Sequence, residues 1–162
     1  RDICERCGTI HYQNPNIIAG CVVLEGDQIL LCRRAIEPRQ GLWTLPAGFM
    51  ENGETVAQAA LRETWEEAHA TPELDSLYVV TSLPRISQVY MLYLAHLHGG
   101  DFSSGPESLE VELFKMEEIP WKELAFHTVR DTLKVLQEDL TRQKFTLHCI
   151  DQQEPPAASP YQ

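Results

Sequence analysis

Apolar positions along the chain follow two rhythms. Residues 17–25 form a nearly unbroken apolar run, and after the turn Glu25-Gly26-Asp27-Gln28 a second apolar stretch covers 28–33. Two such runs across a tight polar turn predict a β-hairpin. A short apolar segment at 42–47 is interrupted at Pro46, and a loop rich in glycine and acid leads to Glu54. The period then changes. Thr55-x-x-Gln58 has the form of a capping box with Thr55 as N-cap. Val56, Ala59, Ala60 and Trp65 give the helix that follows an apolar side, and Thr71-Pro72 marks its expected exit. Segments 77–83, 88–96 and 110–115 read as strands, and the Gly/Ser-rich stretch 98–106 reads as either a lid or a plain connection. Phe126, Val129, Leu133, Leu136 and Leu140 step by three or four and predict a second amphipathic helix over 128–143. Several strands with two interleaved helices and no repeats predict an α/β (α+β) domain with a mixed sheet.

Composition narrows the function. A chain of 162 residues suits one domain, and 13 Lys+Arg against 24 Asp+Glu give a net charge of -11. Such a surface repels nucleic acid and anionic membranes, so neither is an expected partner. No run approaches the roughly 18 apolar residues of a membrane helix. The expected boundaries are a front piece at 1–14, a main domain at 15–150 and, with Pro155, Pro156 and Pro160, a disordered tail at 151–162. The chain opens on Arg1 and carries no secretory signal, so residues upstream of Arg1 are expected.

Five cysteines form no disulfide framework, which favours a reducing, cytoplasmic setting. Cys21 and Cys32 lie in apolar runs and read as core. Cys4-x-x-Cys7-Gly8 has the spacing of half a zinc knuckle, and a closed structural site takes four ligands. Three readings stand for it: a bare thiol pair, a site with His11 as third ligand, and the preferred one, half of a ribbon whose other pair precedes Arg1.

Glu63, Glu66 and Glu67 share one helix face, with Arg62 beside them and Glu54 eight residues before it. Converging carboxylates repel unless a hard divalent cation gathers them. Gly48 to Ala70 reads GFMENGETVAQAALRETWEEAHA. It resembles the Nudix box, G-x5-E-x7-R-E-U-x-E-E-x-G-U with U a bulky apolar residue. Thr64, His69 and Ala70 depart from it at packing and helix-exit positions. Gly41-Leu42-Trp43-Thr44-Leu45-Pro46-Ala47 and Glu117-Glu118-Ile119-Pro120 resemble the family's lead-in and late motif. Cys4-x-x-Cys7 with Tyr12-Gln13-Asn14-Pro15 is similar to the zinc ribbon that precedes some members.

The resemblance implies a Nudix α/β/α sandwich that hydrolyses the pyrophosphate of a nucleoside diphosphate linked to another group, using Mg²⁺ or Mn²⁺ with Zn²⁺ as a structural ion. Glu63, Glu66 and Glu67 are the implied metal ligands, with the Gly48 carbonyl beside them. Glu54 completes the cluster, and Arg62 is expected to orient a carboxylate through a bidentate pair. Glu110 is the implied acid outside the box, serving metal and catalysis, with Glu107 as the alternative base. Arg33 and Arg34 are candidate phosphate contacts, and Trp43, Phe49 and Tyr90 candidate stacking rings. The frame is most similar to plant FAD/ADP-ribose pyrophosphohydrolase-like members. TSLPRISQV at 81–89 replaces the SQPWPFP-type motif of NADH diphosphatases, which leaves NADH as runner-up. A silent dinucleotide-sensing module is the non-catalytic alternative. A homodimer is the expected assembly.

Overall fold

The computed structural model describes residues 1–152. Its elements are β1 (Asp2–Ile3), β2 (Ile10–His11), β3 (Asn16–Glu25), β4 (Gln28–Arg34), β5 (Trp43–Thr44), β6 (Ala47–Phe49), α1 (Val56–Ala68), β7 (Glu73–Leu83), β8 (Gln88–His96), β9 (Ser108–Phe114), α2 (His127–Arg142) and β10 (His148–Asp151). The expected mixed α+β fold is what forms. One sheet runs β10-β7-β8-β3-β4-β5, with β6 added to β3 and β9 to β4. β3 and β8 pair in parallel over nine residue pairs, whereas most other pairs are antiparallel.

Strand β3 is buried on both faces because helices cover both. The small residues Ala19, Cys21 and Val23 pack under Ala59, Ala60 and Ala68 of α1. Val22 and Leu24 join the larger side chains Leu133 and Leu136 of α2 on the other face. Among the described residues no helix is long and apolar enough to cross a membrane.

The sheet forks. β3 pairs with β4 only through Leu24 and Glu25, and with β6 through Ile18, Ala19 and Gly20. A Cβ at Gly20 would overlap Pro46 and Ala47, so glycine is what lets the second branch close on β3. The mouth of a cleft opens at this branch.

Several expectations change. Helix α1 begins at the predicted box, Thr55 Oγ1 accepting from Gln58 N at 3.2 Å and Gln58 Oε1 accepting from Thr55 N at 2.8 Å. It ends at Ala68, before Thr71-Pro72, because His69 turns left-handed at φ 45° and its amide closes on the Trp65 carbonyl. Trp65 is 52% exposed and belongs to the outer face of α1. The segment 98–106 is a strap: the amides of Ser103 and Gly105 donate to the carbonyls of Ala68 and Glu67, capping the α1 C-terminus. The predicted tail boundary moves too. Asp151 ends β10, a parallel neighbour of β7, and the Gln152 side chain donates to Asp131. Tail positions 153–162 lie outside the described residues. Buried Asp139 of α2 ties this edge down, accepting from Tyr78 Oη at 2.8 Å and pairing with His148 Nε2 at 2.7 Å.

Candidate functional site

One turn-and-strand segment sets the geometry of the box. The Ala47 amide donates to Glu67 Oε2 at 3.1 Å. A Cβ at Gly48 would overlap the Glu63 carboxylate, so only glycine lets the strand lie this close to α1. The Phe49 carbonyl accepts from Arg62 Nη2 at 3.0 Å. Arg62 then gathers the acids. Its Nε and Nη2 hold Glu54 in a bidentate pair at 2.6 and 3.0 Å, and its Nη1 reaches Glu63 at 2.6 Å and Glu66 at 3.3 Å. The hydrogen bond from Arg62 holds the Glu54 carboxyl below the usual carboxylate range.

Glu67 differs from its neighbours. It is 7% exposed and accepts one hydrogen bond, from Ala47. Burial pushes its carboxyl up to about 8; the charges of Glu63 and Glu107 add to this, while the Ala47 amide and Arg34 oppose it. Burial also raises Glu63 against the pull of Arg62, and here too Glu66 and Glu107 repel. Under-compensated negative charge on a set of hard oxygen donors fits Mg²⁺ or Mn²⁺. In the conformation described, Arg62 draws the carboxylates of Glu54, Glu63 and Glu66 to itself. Among the described residues no three His, Cys, Asp or Glu side chains stand in a ligating arrangement. The expected cation site is therefore a set of donors organised by a guanidinium rather than a finished cage.

A cleft of about 640 Å³ connects these acids to an apolar wall. Its acidic end is lined by Glu51, Glu63, Glu66, Glu67 and Glu107 with Arg62, and its apolar end by Ile18, Ile36, Pro38, Phe49, Ile86, Tyr90 and Phe126. Arg34 and Gln88 are the other polar lining residues. Arg34 donates through Nε to the Pro38 carbonyl at 2.7 Å and lies over the Phe126 ring at 5.1 Å.

Four expected catalytic or substrate residues do not line the cleft: Glu54, which Arg62 holds behind it, and Glu110, Arg33 and Trp43. Glu110 stands opposite Arg33 in the β4–β9 ladder and pairs with it at 3.5 Å on the outer surface; neither lines the cleft. The register shifts between Arg33 and Arg34, and the segment before β9 returns at the Ala35 amide, which donates to the Glu107 carbonyl. Glu107, not Glu110, is thereby delivered to the acids. Trp43 is 7% exposed and packs edge-on against Phe114 at 4.9 Å, so it is core and cannot stack on a ligand. Phe49, Tyr90 and Arg34 do line the cleft. Sequence reasoning missed Ile18, Ile36, Ile86, Gln88 and Phe126. Strand alternation offered a signal for one of them, since Gln88 lies two residues before Tyr90 and faces the same way.

Cys4 and Cys7 occupy a hairpin that stands clear of the domain. The Gly8 amide donates to the Cys4 carbonyl at 2.8 Å, and Cys7 Sγ lies 3.1 Å from Thr9 Oγ1. That contact with Thr9 lowers the Cys7 thiol. His11 pairs with Asp2 across the hairpin and does not complete a site with the two thiols among the described residues.

A family profile for the NUDIX domain matches residues 14–135. An ADP-ribose pyrophosphatase of Methanocaldococcus jannaschii is 33% identical over 119 residues, 71% of this chain and 69% of that protein. The NAD-capped RNA hydrolase NudC of Edwardsiella ictaluri is 34% identical over 73% of this chain, which spans only 46% of its length. A crystal structure of a NUDIX hydrolase from Nitrosomonas europaea superposes with a TM-score of 0.86 at 53% identity, covering 93% of this chain and 86% of that one. A profile match over most of the chain and a relative 33% identical over 119 aligned residues place this chain in the Nudix family of pyrophosphohydrolases.

Proposed function

We propose that the chain hydrolyses the diphosphate bridge of a nucleoside diphosphate linked to a second group, with ADP-ribose as the leading substrate, FAD beside it and NADH third. The observation that carries this reading is the joining of two unlike surfaces in one cleft: buried, mutually repelling carboxylates at one end and an apolar wall at the other. A diphosphate with a flat ring attached matches both ends. The M. jannaschii relative favours ADP-ribose, and the NudC relatives keep NAD-type dinucleotides in view. A silent sensor is disfavoured because Glu54, Glu63, Glu66 and Glu67 are all in place.

In this mechanism Glu63, Glu66 and Glu67, with the Gly48 carbonyl, would hold Mg²⁺ or Mn²⁺, which when bound would supply neutralisation of phosphate charge and a lowered water pKa. Arg62 keeps Glu54 aimed by its bidentate fork and Glu63 by Nη1. A carboxylate oxygen of Glu107 takes the proton of the attacking water. Arg34, a cation lining the cleft, receives a non-bridging phosphate oxygen. Water adds across the P–O–P bridge, giving AMP and ribose 5-phosphate from ADP-ribose. The test is a substrate panel of ADP-ribose, FAD, NADH and NAD-capped RNA with Mg²⁺ or Mn²⁺, products being resolved by chromatography. ADP-ribose should turn over fastest. No turnover of any member would overturn the reading.

Three further parts belong to the same reading. The cytoplasm is its compartment, since all five cysteines are free thiols. Cys4 and Cys7 supply two thiolates to a structural zinc; elemental analysis finding no zinc in the protein as purified removes it. A homodimer would cover the exposed Ile3, Ile10 and Tyr12, and a monomer in sedimentation equilibrium would dismiss it.

A further inference from the structure

The apolar end of the cleft is built by register. Ile18 of β3 pairs with Phe49 of β6 on one side and with Tyr90 of β8 on the other. Directly paired residues on adjacent strands face the same way, and strands lie about 4.8 Å apart, so the three side chains form a row roughly 10 Å long. Phe49, at one end, is 54% exposed. Tyr90, at the other, has its hydroxyl oxygen engaged by Thr128 and offers a ring face to the cleft. The row is a platform for one flat ring.

Gln88 stands at the edge of that platform. It begins β8, two residues before Tyr90, and projects on the same side. Its Cα partners are Asn16 and Leu83, so its backbone is fixed from both neighbouring strands. No hydrogen bond to its carboxamide forms among the described residues, and it lines the cleft. Gln88 is the lining side chain whose carboxamide presents donor and acceptor side by side with neither engaged among the described residues. A carboxamide pairs in bidentate fashion with an adjacent donor and acceptor, as on an adenine edge. Arg34 lines the same cleft and acts electrostatically on both Glu67 and Tyr90, so its charge is within reach of the acids and of the platform.

We propose that Gln88 is the specificity-determining residue of the cleft, reading the donor–acceptor edge of a nucleobase seated on the Phe49–Ile18–Tyr90 row; this rests on the pyrophosphohydrolase reading above. The contact sets which base is held and takes no part in bond breaking.

Binding separates this inference from the activity. AMP and purine riboside 5′-monophosphate, which lacks the 6-amino group, are titrated calorimetrically into wild type and Gln88→Leu. Leucine should weaken AMP about tenfold, the usual cost of stranding a neutral hydrogen-bonding group. Loss of the amino group should cost wild type a similar factor and cost Gln88→Leu less than about twofold, because the partner is already gone. An unchanged melting temperature certifies the fold, and Gln88→Glu, which loses the donors and adds a charge, should weaken AMP at least as much. Equal cost of the amino group in wild type and Gln88→Leu, or wild-type affinity of Gln88→Leu for AMP, overturns the proposal. Coupling in the binding data without turnover of any member of the substrate panel by wild type would sink the activity reading and leave Gln88 standing.

Discussion

Glu67→Gln should stabilise the metal-free protein and disable it, two effects of opposite sign from one atom pair. Glutamine keeps the shape and can still accept the Ala47 amide at 3.1 Å, so the substitution removes charge and little else. The Glu67 carboxyl, ordinarily near 4.3, is pushed up to about 8 by burial. The sign follows: ionisation opposes folding, the penalty is absent below about pH 4.3, grows with pH and is complete above about 8. At pH 7 the bound on it is about 1.4 kcal/mol per unit over roughly 2.7 units, or ~3.7 kcal/mol. Half of that, about 2 kcal/mol, would raise Tm by about 4–8 °C for a chain of this size. Manganese reverses the comparison. A cation at a hundred times its Kd stabilises wild type by about 2.7 kcal/mol, and the variant should gain far less. Melting curves in chelator and in millimolar Mn²⁺ read both arms. Turnover should fall at least about 100-fold, the upper end of what loss of a metal's outer-shell partner costs. A lower Tm in chelator, an undiminished Mn²⁺ shift or wild-type turnover would refute the reasoning.

Asp139→Asn should cost about 2–4 kcal/mol in urea unfolding, because the buried carboxylate accepts from Tyr78 at 2.8 Å and pairs with His148 at 2.7 Å. Burial alone would raise Asp139, but the bonds from His148 and Tyr78 hold it below its ordinary value. Its contribution is thus present above about pH 3.9 and is lost as pH falls through the folded value, so the variant's stability should fall less steeply with acid. Gly105→Ala would drive a Cβ into the Glu66 carbonyl and shift the strap that carries Glu107. It should lower kcat with KM for ADP-ribose little changed, and an unaltered kcat would detach Glu107 from the chemistry.

Local chemistry was legible wherever it acts over a few residues. The Thr55–Gln58 box, the hairpin turn at Gly26-Asp27 and the apolar step of α2 are all short-range, and each forms as the sequence implies. What was not legible depends on distant neighbours. Helix α1 was expected to stop by Thr71-Pro72 with His69 at its exit, and His69 does cap it after Ala68; what no residue near 68 announces is the pair of amides that the 98–106 strap brings to its end. Glu107 and Glu110 look alike in sequence; the shift beside Arg33 in the β4–β9 ladder decides which one faces the cleft. Trp43 beside the box is readable as a stacking ring or as core, and Phe114, some seventy residues on, decides for core. β10 escaped notice because four half-exposed residues become a strand only against β7.

The fork at β3 divides responsibility for the cleft. The acids ride on α1, on the loop before it and just past the strap that caps it, whereas most of the apolar wall comes from β8, the turn before it, the loop after β4 and the start of α2. Phe49, at the branch, belongs to both. The hydrolytic half and the recognition half are therefore separately editable: the wall can be rebuilt for another ring while Gly48 still seats Glu63 and Ala47 still holds Glu67. A change of diet, in such a protein, need not disturb its teeth.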